Sequence, residues 1–352
     1  MPDSPVVAVA LSGGIDSLVT GFLIKQRFKK VFGIHFTTGY ETSLPDVSAL
    51  ASIFGFPVHT IDLSREFETR VVDYFISTYM AGKTPNPCLV CNLQIKFKKL
   101  FEHAQTLGAD LMATGHYATV VNRYTCTREE ISQAWLERGA DFTKDQSYFL
   151  SMLSPKILEN LVFPLADFTK HQVRQLAGQH DLVPVVPNES QDICFLPDKN
   201  HWAFINAKTK IFPKPGPVVD SQGKTVGSHQ GLHKFTVGQR KGINIPGPAP
   251  YYVKKIDIKT NTLHLCFKSD LAQKRMAVEQ IVWNYPEKEN LKHIEVQIRS
   301  AHKAATAGLD WDDDTSGIVT FETPQNAITP GQAAVFYQEN RVLGAGLISA
   351  TQ

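Results

Sequence analysis

Val6-Val7-Ala8-Val9-Ala10-Leu11, followed at once by Ser12-Gly13-Gly14-Ile15-Asp16-Ser17, constrains this chain more than any other stretch. The apolar run reads as a buried strand. The adjacent glycines permit a tight turn whose consecutive N–H groups converge on one concavity. The helix predicted from Ser17 to Phe28 carries Leu18, Val19, Phe22 and Leu23 at the i, i+3, i+4 spacing of a helix lying on a sheet. Its positive end adds to the turn's attraction for an anion, so Ser12, Gly13, Gly14 and Ser17 are candidate phosphate contacts. Asp16 is too acidic to hold a phosphate, but it is a candidate contact for a magnesium ion that does. The spacing is neither GxxxxGK[ST] nor GxGxxG, which sets aside those two nucleotide loops.

Strand and helix alternate up to about residue 120, with strands predicted at Val6–Leu11, Val31–Phe36, Val58–Ile61 and Asp110–Thr114. A short helix is expected at Ala49–Phe54. A longer helical stretch, Phe67 to Met80, is broken by Ala81-Gly82-Lys83-Thr84-Pro85-Asn86-Pro87. The expected fold is an α/β parallel sheet with ligands beyond the C-terminal strand ends. Prolines punctuate Gly178 to Gly247, which argues against extended helices there, and Phe212-Pro213-Lys214-Pro215-Gly216-Pro217 reads as a linker. From Tyr251 short strands take over, at Tyr251–Ile256, Thr262–Phe267, Ile294–Ile298, Gly317–Phe321, Ala333–Tyr337 and Leu343–Ile348, as in a small closing barrel. The division expected is 1–205 for the α/β domain with a further helical part, 206–268 for a small central domain, and 269–352 for a C-terminal β-barrel.

A net charge of +2 means that any nucleic-acid surface is a local patch. No apolar run approaches the ~18 residues of a membrane span. Met1-Pro2-Asp3-Ser4-Pro5 leads straight into a strand without a signal-like apolar region, so the expectation is a cytoplasmic protein with no membrane partner. The five cysteines, at 88, 91, 126, 194 and 266, are too few for a disulfide-stapled fold.

Pro85-Asn86-Pro87-Cys88-Leu89-Val90-Cys91-Asn92 places a CxxC where a loop enters a helix, a setting expected to lower a thiol pKa. By itself the CxxC is a redox pair, half a metal site or coincidence. Cys126 and Cys266 do not supply the second pair of a zinc site. Spacing leaves Cys194 between core residue and catalyst. In the following helix Leu93, Phe97, Leu100, Phe101 and Ala104 share one face, and Lys96, Lys98 and Lys99 fall largely on the other. That basic face is either solvated or set against nucleic-acid phosphates.

The Ser12–Ser17 turn resembles the SGGxDS signature of the PP-loop ATP pyrophosphatases. Thr84-Pro85-Asn86-Pro87, Cys91-Asn92, Lys96-Phe97, Gly115-His116-Tyr117-Ala118, Lys144-Asp145-Gln146-Ser147-Tyr148-Phe149-Leu150 and Ile193-Cys194-Phe195 resemble, in order, signatures of the tRNA-specific 2-thiouridylases. The turns His229-Gln230-Gly231-Leu232 and Thr236–Gly242 and the phrase Thr329–Tyr337 extend the likeness over nearly the whole chain. The resemblance implies that ATP adenylates uracil O2 of a wobble uridine in tRNA, with release of pyrophosphate, and that sulfur then displaces AMP at C2. It implies that Cys194 carries sulfur as a persulfide and that Cys91 ends in a disulfide with it. It also implies a cysteine desulfurase or sulfur-relay protein as donor, and reduction of the pair after each turnover.

Two departures stand out. Cys88 occupies a position where many members of the family carry an aspartate proposed as general base, so Asp192 becomes a candidate replacement. Cys88, Cys91 and Cys194 together also form a candidate three-thiolate set for a [4Fe-4S] cluster, as in related tRNA-thiolating enzymes. Second, Phe36-Thr37-Thr38-Gly39-Tyr40-Glu41-Thr42 does not closely follow the family text. The resemblance makes Phe36 a candidate adenine contact, and Gly115 and His116 candidate nucleotide or substrate contacts. Lys96, Lys98, Lys99, Lys144, Asp145, Gln146, Gln239 and Arg240 are candidate tRNA contacts. The rival readings are an amide-forming PP-loop synthetase and a tRNA-binding module without turnover. Neither requires the cysteine pair.

Overall fold

The computed structural model describes residues 4–41, 43–125, 133–186, 193–196, 200–209, 214–285 and 291–351. Cys126, Gln191 and Asp192 lie outside them. The chain divides into two compact units. The first comprises Met1–Val71, Cys88–Phe195 and Glu339–Val342, and the second Val72–Pro87, Leu196–Gln338 and Leu343–Gln352.

In the first unit the chain forms strands β1 (Val6–Ala10), β2 (Lys30–Thr37), β3 (Val58–Asp62) and β4 (Leu111–Ala113), then a hairpin of β5 (Ala118–Val121) and β6 (Trp135–Arg138), then the short β7 (Leu161–Val162). The sheet order is β3-β2-β1-β4-β7, and every pairing is parallel. The central strand reads as a continuous apolar run because both of its faces are covered: Val7, Ala8 and Val9 are wholly inaccessible. Helix α1 (Ile15–Arg27) buries Leu18, Val19 and Ile24, while Phe22 and Leu23 are only partly covered. Gly21 sits where α1 meets α2 (Val47–Phe54); a methyl group there would come within 2.7 Å of the Phe54 ring. Asp46 caps α2 by accepting from the N–H groups of Ser48 and Ala49, and Gly55 ends it at φ 66°.

The helical expectation for 67–80 holds, as Ser64–Phe67, a π-helical Glu68–Val72 and Asp73–Met80. Gly82 then adopts φ +71°. After the helix Pro87–Cys91 comes a second π-helical segment, Asn92–Leu100.

The second unit contains two antiparallel-rich sheets. Strands β8 (Gly216–Val219), β9 (Thr225–His229), β10 (Tyr252–Asp257) and β11 (Thr262–Cys266) form a four-stranded sheet in the order β10-β11-β8-β9, with its own core around Val218, Val253, Leu263 and Leu265. Strands β12 (Ala272–Trp283), β13 (Ile294–Gln297), β14 (Ala305–Trp311), β15 (Gly317–Asn326), β16 (Ala333–Gln338) and β17 (Arg341–Thr351) run β12-β15-β14-β13-β16-β17, and pairing of β12 with β17 closes the barrel. Its interior holds Met276, Val278, Val296, Phe321 and Phe336.

The barrel expectation holds with a changed membership. The first two of the six strands read from sequence belong to the four-stranded sheet. Their places in the barrel go to β12 and β14, which local pattern did not reveal. In β12 the register shifts between Gln273 and Arg275, between Ala277 and Val278 and again between Glu279 and Val282, which destroys simple alternation. Much of β14 is small residues of low strand propensity. Two further expectations are corrected. The nine-residue helix His201–Thr209 lies inside the proline-punctuated region, and Gly216–Pro217 of the expected linker begin β8. Among the described residues no helix is long and apolar enough to cross a membrane.

Within the second unit, two phrases distant in sequence meet. The Thr84 N–H donates to the Pro330 carbonyl at 2.8 Å, and Gln332 Nε2 donates to the carbonyls of Thr84 and Pro85. A Cβ on Gly331 would come within 2.6 Å of the Thr84 oxygen. The Thr329–Tyr337 phrase thus holds the loop that leads into the cysteines.

Candidate active site

The turn after β1 has the geometry its sequence demands. Gly13 takes φ +82°, and its carbonyl accepts from the N–H groups of Val185 and Val186. A side chain there would press within 3.1 Å of Pro45 and Val186. Gly14 is the N-cap of α1 and no side chain caps this helix end, so a thirteen-residue helix presents its first N–H groups to whatever the turn holds. Ser12 Oγ accepts from the Gly14 N–H at 3.4 Å and lies 3.3 Å from Ser17 Oγ, which donates to the Gly14 carbonyl at 2.8 Å. Two hydroxyls and a set of amides thereby face one spot.

Asp16 has partners that sequence reasoning missed. Lys170 Nζ lies 2.8 Å from each carboxylate oxygen, and the Tyr117 hydroxyl donates to Oδ1 at 2.7 Å. The Lys170 side chain is 9 % exposed and that of Asp16 32 %, so the pair sits at the inner wall of the site. Thr169 and Gln172 form a capping box that starts the Lys170 helix, a signal legible as Thr-x-x-Gln though not read there. This carboxylate, already gripped by an ammonium and a phenol, does not fit a resident magnesium ligand. Gly115 passes so close that a Cβ would stand 3.1 Å from the Asp16 carbonyl, which gives this glycine a steric reason.

His116 is packed rather than poised. Its ring lies 5.5 Å from those of Phe97 and Phe163, and Nδ1 shares a 2.7 Å hydrogen bond with Thr114 Oγ1. Burial holds its pKa well below the usual histidine value, so it is neutral at pH 7. Phe36 is half-buried at the end of β2. Beside it is another residue the sequence reading missed, His35, whose Nδ1 is bonded to the Leu11 carbonyl at 2.8 Å and whose Nε2 is buried without a partner. The departing segment after β2 is braced internally, as Glu41 accepts from the Thr38 N–H and hydroxyl and from the Gly39 N–H, and Tyr40 ties it to Glu68 and Phe67.

The cysteines converge. Cys88, Cys91 and Cys194 belong to the same unit as the phosphate turn, and they lie near enough to influence one another electrostatically. Phe195 anchors Cys194: it is 2 % exposed and meets the rings of Tyr40 and Phe67 edge-on at 5.8 and 5.7 Å. Asn92, beside Cys91, donates to the Phe149 carbonyl at 3.1 Å and so joins the CxxC to the Lys144–Leu150 phrase.

The expected lowering of the thiol pKa is corrected. Burial pushes the Cys91 thiol up to about 12, opposed by the Lys96 charge and reinforced by the neighbouring thiols. Crowding by the surrounding residues also raises Cys88 and Cys194, although both keep exposed surface. Desolvation outweighs the helix end, although Pro87–Cys91 opens a helical run that continues through Asn92–Leu100 to Thr106. Among the described residues, these three cysteines included, no group of three or more His, Cys, Asp or Glu side chains is placed to hold a metal ion.

Lys96 also departs from its expected place. It is half-buried, and its charge acts on all three thiols and on His116. At ~100° per residue an α-helix would carry Lys96 away from Cys91, but the i→i+5 ladder of the π-helical segment brings the fifth residue round beneath the first. Lys98 remains exposed, and Lys99 pairs with Glu102 at 2.6 Å.

The remaining RNA candidates divide in the same manner. Lys144 and Arg240 are exposed. Asp145 accepts from the N–H groups of Gly139 and Ser147 and from the Ser147 hydroxyl, and Gln146 Oε1 accepts from the Tyr117 N–H. Gln239 spans its own turn, from the Thr236 N–H to the Lys241 carbonyl.

Comparison with known proteins agrees with this construction along the whole chain. Residues 5–198 match the family described as tRNA methyl transferase HUP domain, 204–267 its PRC-barrel domain, and 273–348 an aminomethyltransferase beta-barrel domain. The chain is similar to the tRNA-specific 2-thiouridylase MnmA of Desulfosudis oleivorans, at 43% identity over 99% of this chain and 96% of that protein. It is similar to the enzyme of the same name from Desulfotalea psychrophila, at 38% identity over 97% and 98% of the two chains. A third such enzyme, from Herpetosiphon aurantiacus, is 36% identical over 97% and 98%. With the glycine turn, the paired cysteines and this full-length likeness in agreement, the chain belongs to the tRNA-specific 2-thiouridylase (MnmA) family.

Proposed function

We propose that this protein is an ATP-dependent tRNA-uridine 2-sulfurtransferase acting on a wobble uridine, with Cys91 and Cys194 as the residues that handle sulfur. The observation that carries this reading is the gathering of two cysteines, remote in sequence, into the unit that bears the phosphate turn. The Gly13–Gly14 turn and the uncapped start of α1 suit a pyrophosphate, and Ser12 and Ser17 suit its oxygens. Magnesium enters with the triphosphate rather than as a resident ion on Asp16.

The first step forms a bond between uracil O2 and the α-phosphorus and expels pyrophosphate. Cys194 receives a sulfane sulfur from a donor protein, a cysteine desulfurase or relay partner, as Cys194–S–SH. The Cys91 thiolate attacks the inner sulfur, which forms the Cys91–Cys194 disulfide and releases hydrosulfide. Hydrosulfide adds to C2, AMP leaves with the former O2, and an external thiol reductant restores both cysteines. The raised thiol pKa values fit a site that generates little thiolate until substrate is bound. Lys96 is the positive charge placed to help form it. Residues 1–205 carry the chemistry in this scheme, and 206–268 and 269–352 hold the tRNA, with Lys98, Lys144 and Arg240 as exposed cations facing phosphates. Asp192 remains a proposed base.

The test is thiolation of tRNA by iron-free protein, read as 2-thiouridine by mass spectrometry. Cys91→Ser and Cys194→Ser each abolish the product while ATP and tRNA still bind, and Cys88→Ser retains most activity. An absolute dependence on reconstituted iron, lost with Cys88→Ser, would overturn the persulfide route.

A further inference from the structure

A cleft of about 420 Å³ opens in the second unit between the start of the His201–Thr209 helix and the glycine turns that follow β9. Trp202, His201 and Asn200 line one side, and Lys234, Gln239 and Gly242 the other; among the described residues no acidic side chain lines the cleft. The chemical steps proposed above involve none of these lining residues.

Trp202 leaves 38% of its surface exposed, and Lys234 Nζ stands 4.3 Å from the centroid of its ring. A large ring left in water under a cation gains little for the fold, but it is suited to stack a flat, electron-rich partner. His201 is stacked on Tyr79 at 4.6 Å and 15°, and its Nε2 is buried without a hydrogen-bond partner. Burial lowers its pKa, so at neutral pH a neutral imidazole offers one directional hydrogen bond. Gln239 uses its amide to brace the turn, and the exposed Arg240 and Lys241 project from that braced segment. An aromatic platform, a buried polar atom awaiting a partner and, among the described residues, a lining with Lys234 as its charged side chain together match a nucleotide. They match neither a cationic ligand nor an apolar peptide.

Resting on the tRNA-thiolation reading, we propose that this cleft takes one unstacked nucleotide of the bound tRNA other than the uridine being modified. Its base lies on Trp202, and its phosphate faces Lys234 and the Arg240–Lys241 turn. The cleft is then a second grip on the RNA.

The test compares the parent with Trp202→Ala, Trp202→Phe and Lys234→Gln, each checked for fold by circular dichroism, in binding of a tRNA transcript at several salt concentrations and in binding of ATP. Loss of one stacked base weakens tRNA binding about 5- to 150-fold for Trp202→Ala. Trp202→Phe stays close to the parent because a flat ring is retained. Lys234→Gln lowers the log-affinity against log-salt slope by about one. ATP affinity is unchanged throughout. Parental tRNA affinity in Trp202→Ala overturns the proposal, and so does an equal loss in Trp202→Phe. Loss of ATP binding with tRNA binding intact would instead make the cleft a free-nucleotide site and overturn it too. If the parent neither binds nor thiolates tRNA, the functional reading itself has failed, a result distinct from these.

Discussion

Replacing Asp16 by Asn tests the inner wall of the site most directly. Lys170 Nζ has both Asp16 oxygens at 2.8 Å and its side chain is 9 % exposed, so Asp16→Asn takes a carboxylate charge away from an almost fully buried ammonium. Removing one partner of such a pair costs about 3 kcal/mol. Lys170→Met leaves a carboxylate whose side chain is 32 % exposed and still receives the Tyr117 hydroxyl bond, so its cost, discounted for solvent screening, is about 1–2 kcal/mol. The double variant Asp16→Asn, Lys170→Met removes both charges and should be more stable than Asp16→Asn by itself. Amide hydrogen exchange in β1 and β4 reads this locally: about 10²-fold faster exchange in Asp16→Asn, partly restored in the double variant. The same Asp16→Asn protein should lose ATP-dependent pyrophosphate release and keep most of its tRNA affinity. Parental exchange rates in Asp16→Asn, or no restoration by the second change, would refute the ion pair. Parental pyrophosphate release would remove Asp16 from the reaction.

Four further outcomes follow from the geometry. With its thiol at about 12 rather than near 9, Cys91 should alkylate with iodoacetamide at pH 8 about 10³-fold more slowly than a free cysteine, read by peptide mass spectrometry, and labelling at the free-thiol rate would contradict the burial argument. A folded-state pKa raised above the unfolded value adds stability that is full below pH ~8.5 and is lost as pH rises toward 12, so unfolding titrations above pH 9 should show falling stability that Cys91→Ala reduces. Gly115→Ala places a methyl 3.1 Å from the Asp16 carbonyl, and should destabilise the first unit by about 1–3 kcal/mol and abolish pyrophosphate release; a fully active variant would show that the loop yields freely. Neutralising exposed Lys98 should lower the salt slope of tRNA binding by about one without affecting thiol reactivity, whereas Lys96→Gln should slow Cys91 alkylation further, and the reverse assignment would place Lys96 on the RNA face.

The phosphate turn was legible because its determinants are local: an apolar strand, two glycines and an amphipathic helix specify that geometry within a dozen residues. Strands β1 and β4 were legible for the same reason, since strands covered on both faces are written as unbroken apolar runs. The barrel's outline could be read but not its membership. The bulges of β12 and the small residues of β14 become strand through their neighbours' hydrogen bonds rather than their own pattern. Tertiary structure also decided the chemistry of the cysteines. Sequence placed Cys88 and Cys91 at a helix start, where a dipole lowers a thiol pKa, but at Cys91 desolvation by folded neighbours is a larger and opposite effect. Lys96 turned inward because an i→i+5 ladder altered the helical phase, a backbone choice no side-chain spacing announces. Asp16 and Lys170 are far apart in the chain, and each is an ordinary charged residue until the fold buries the ammonium against the carboxylate. The chain's local chemistry determined which groups were available; packing determined which of them met, how dry they became and what charge they carry.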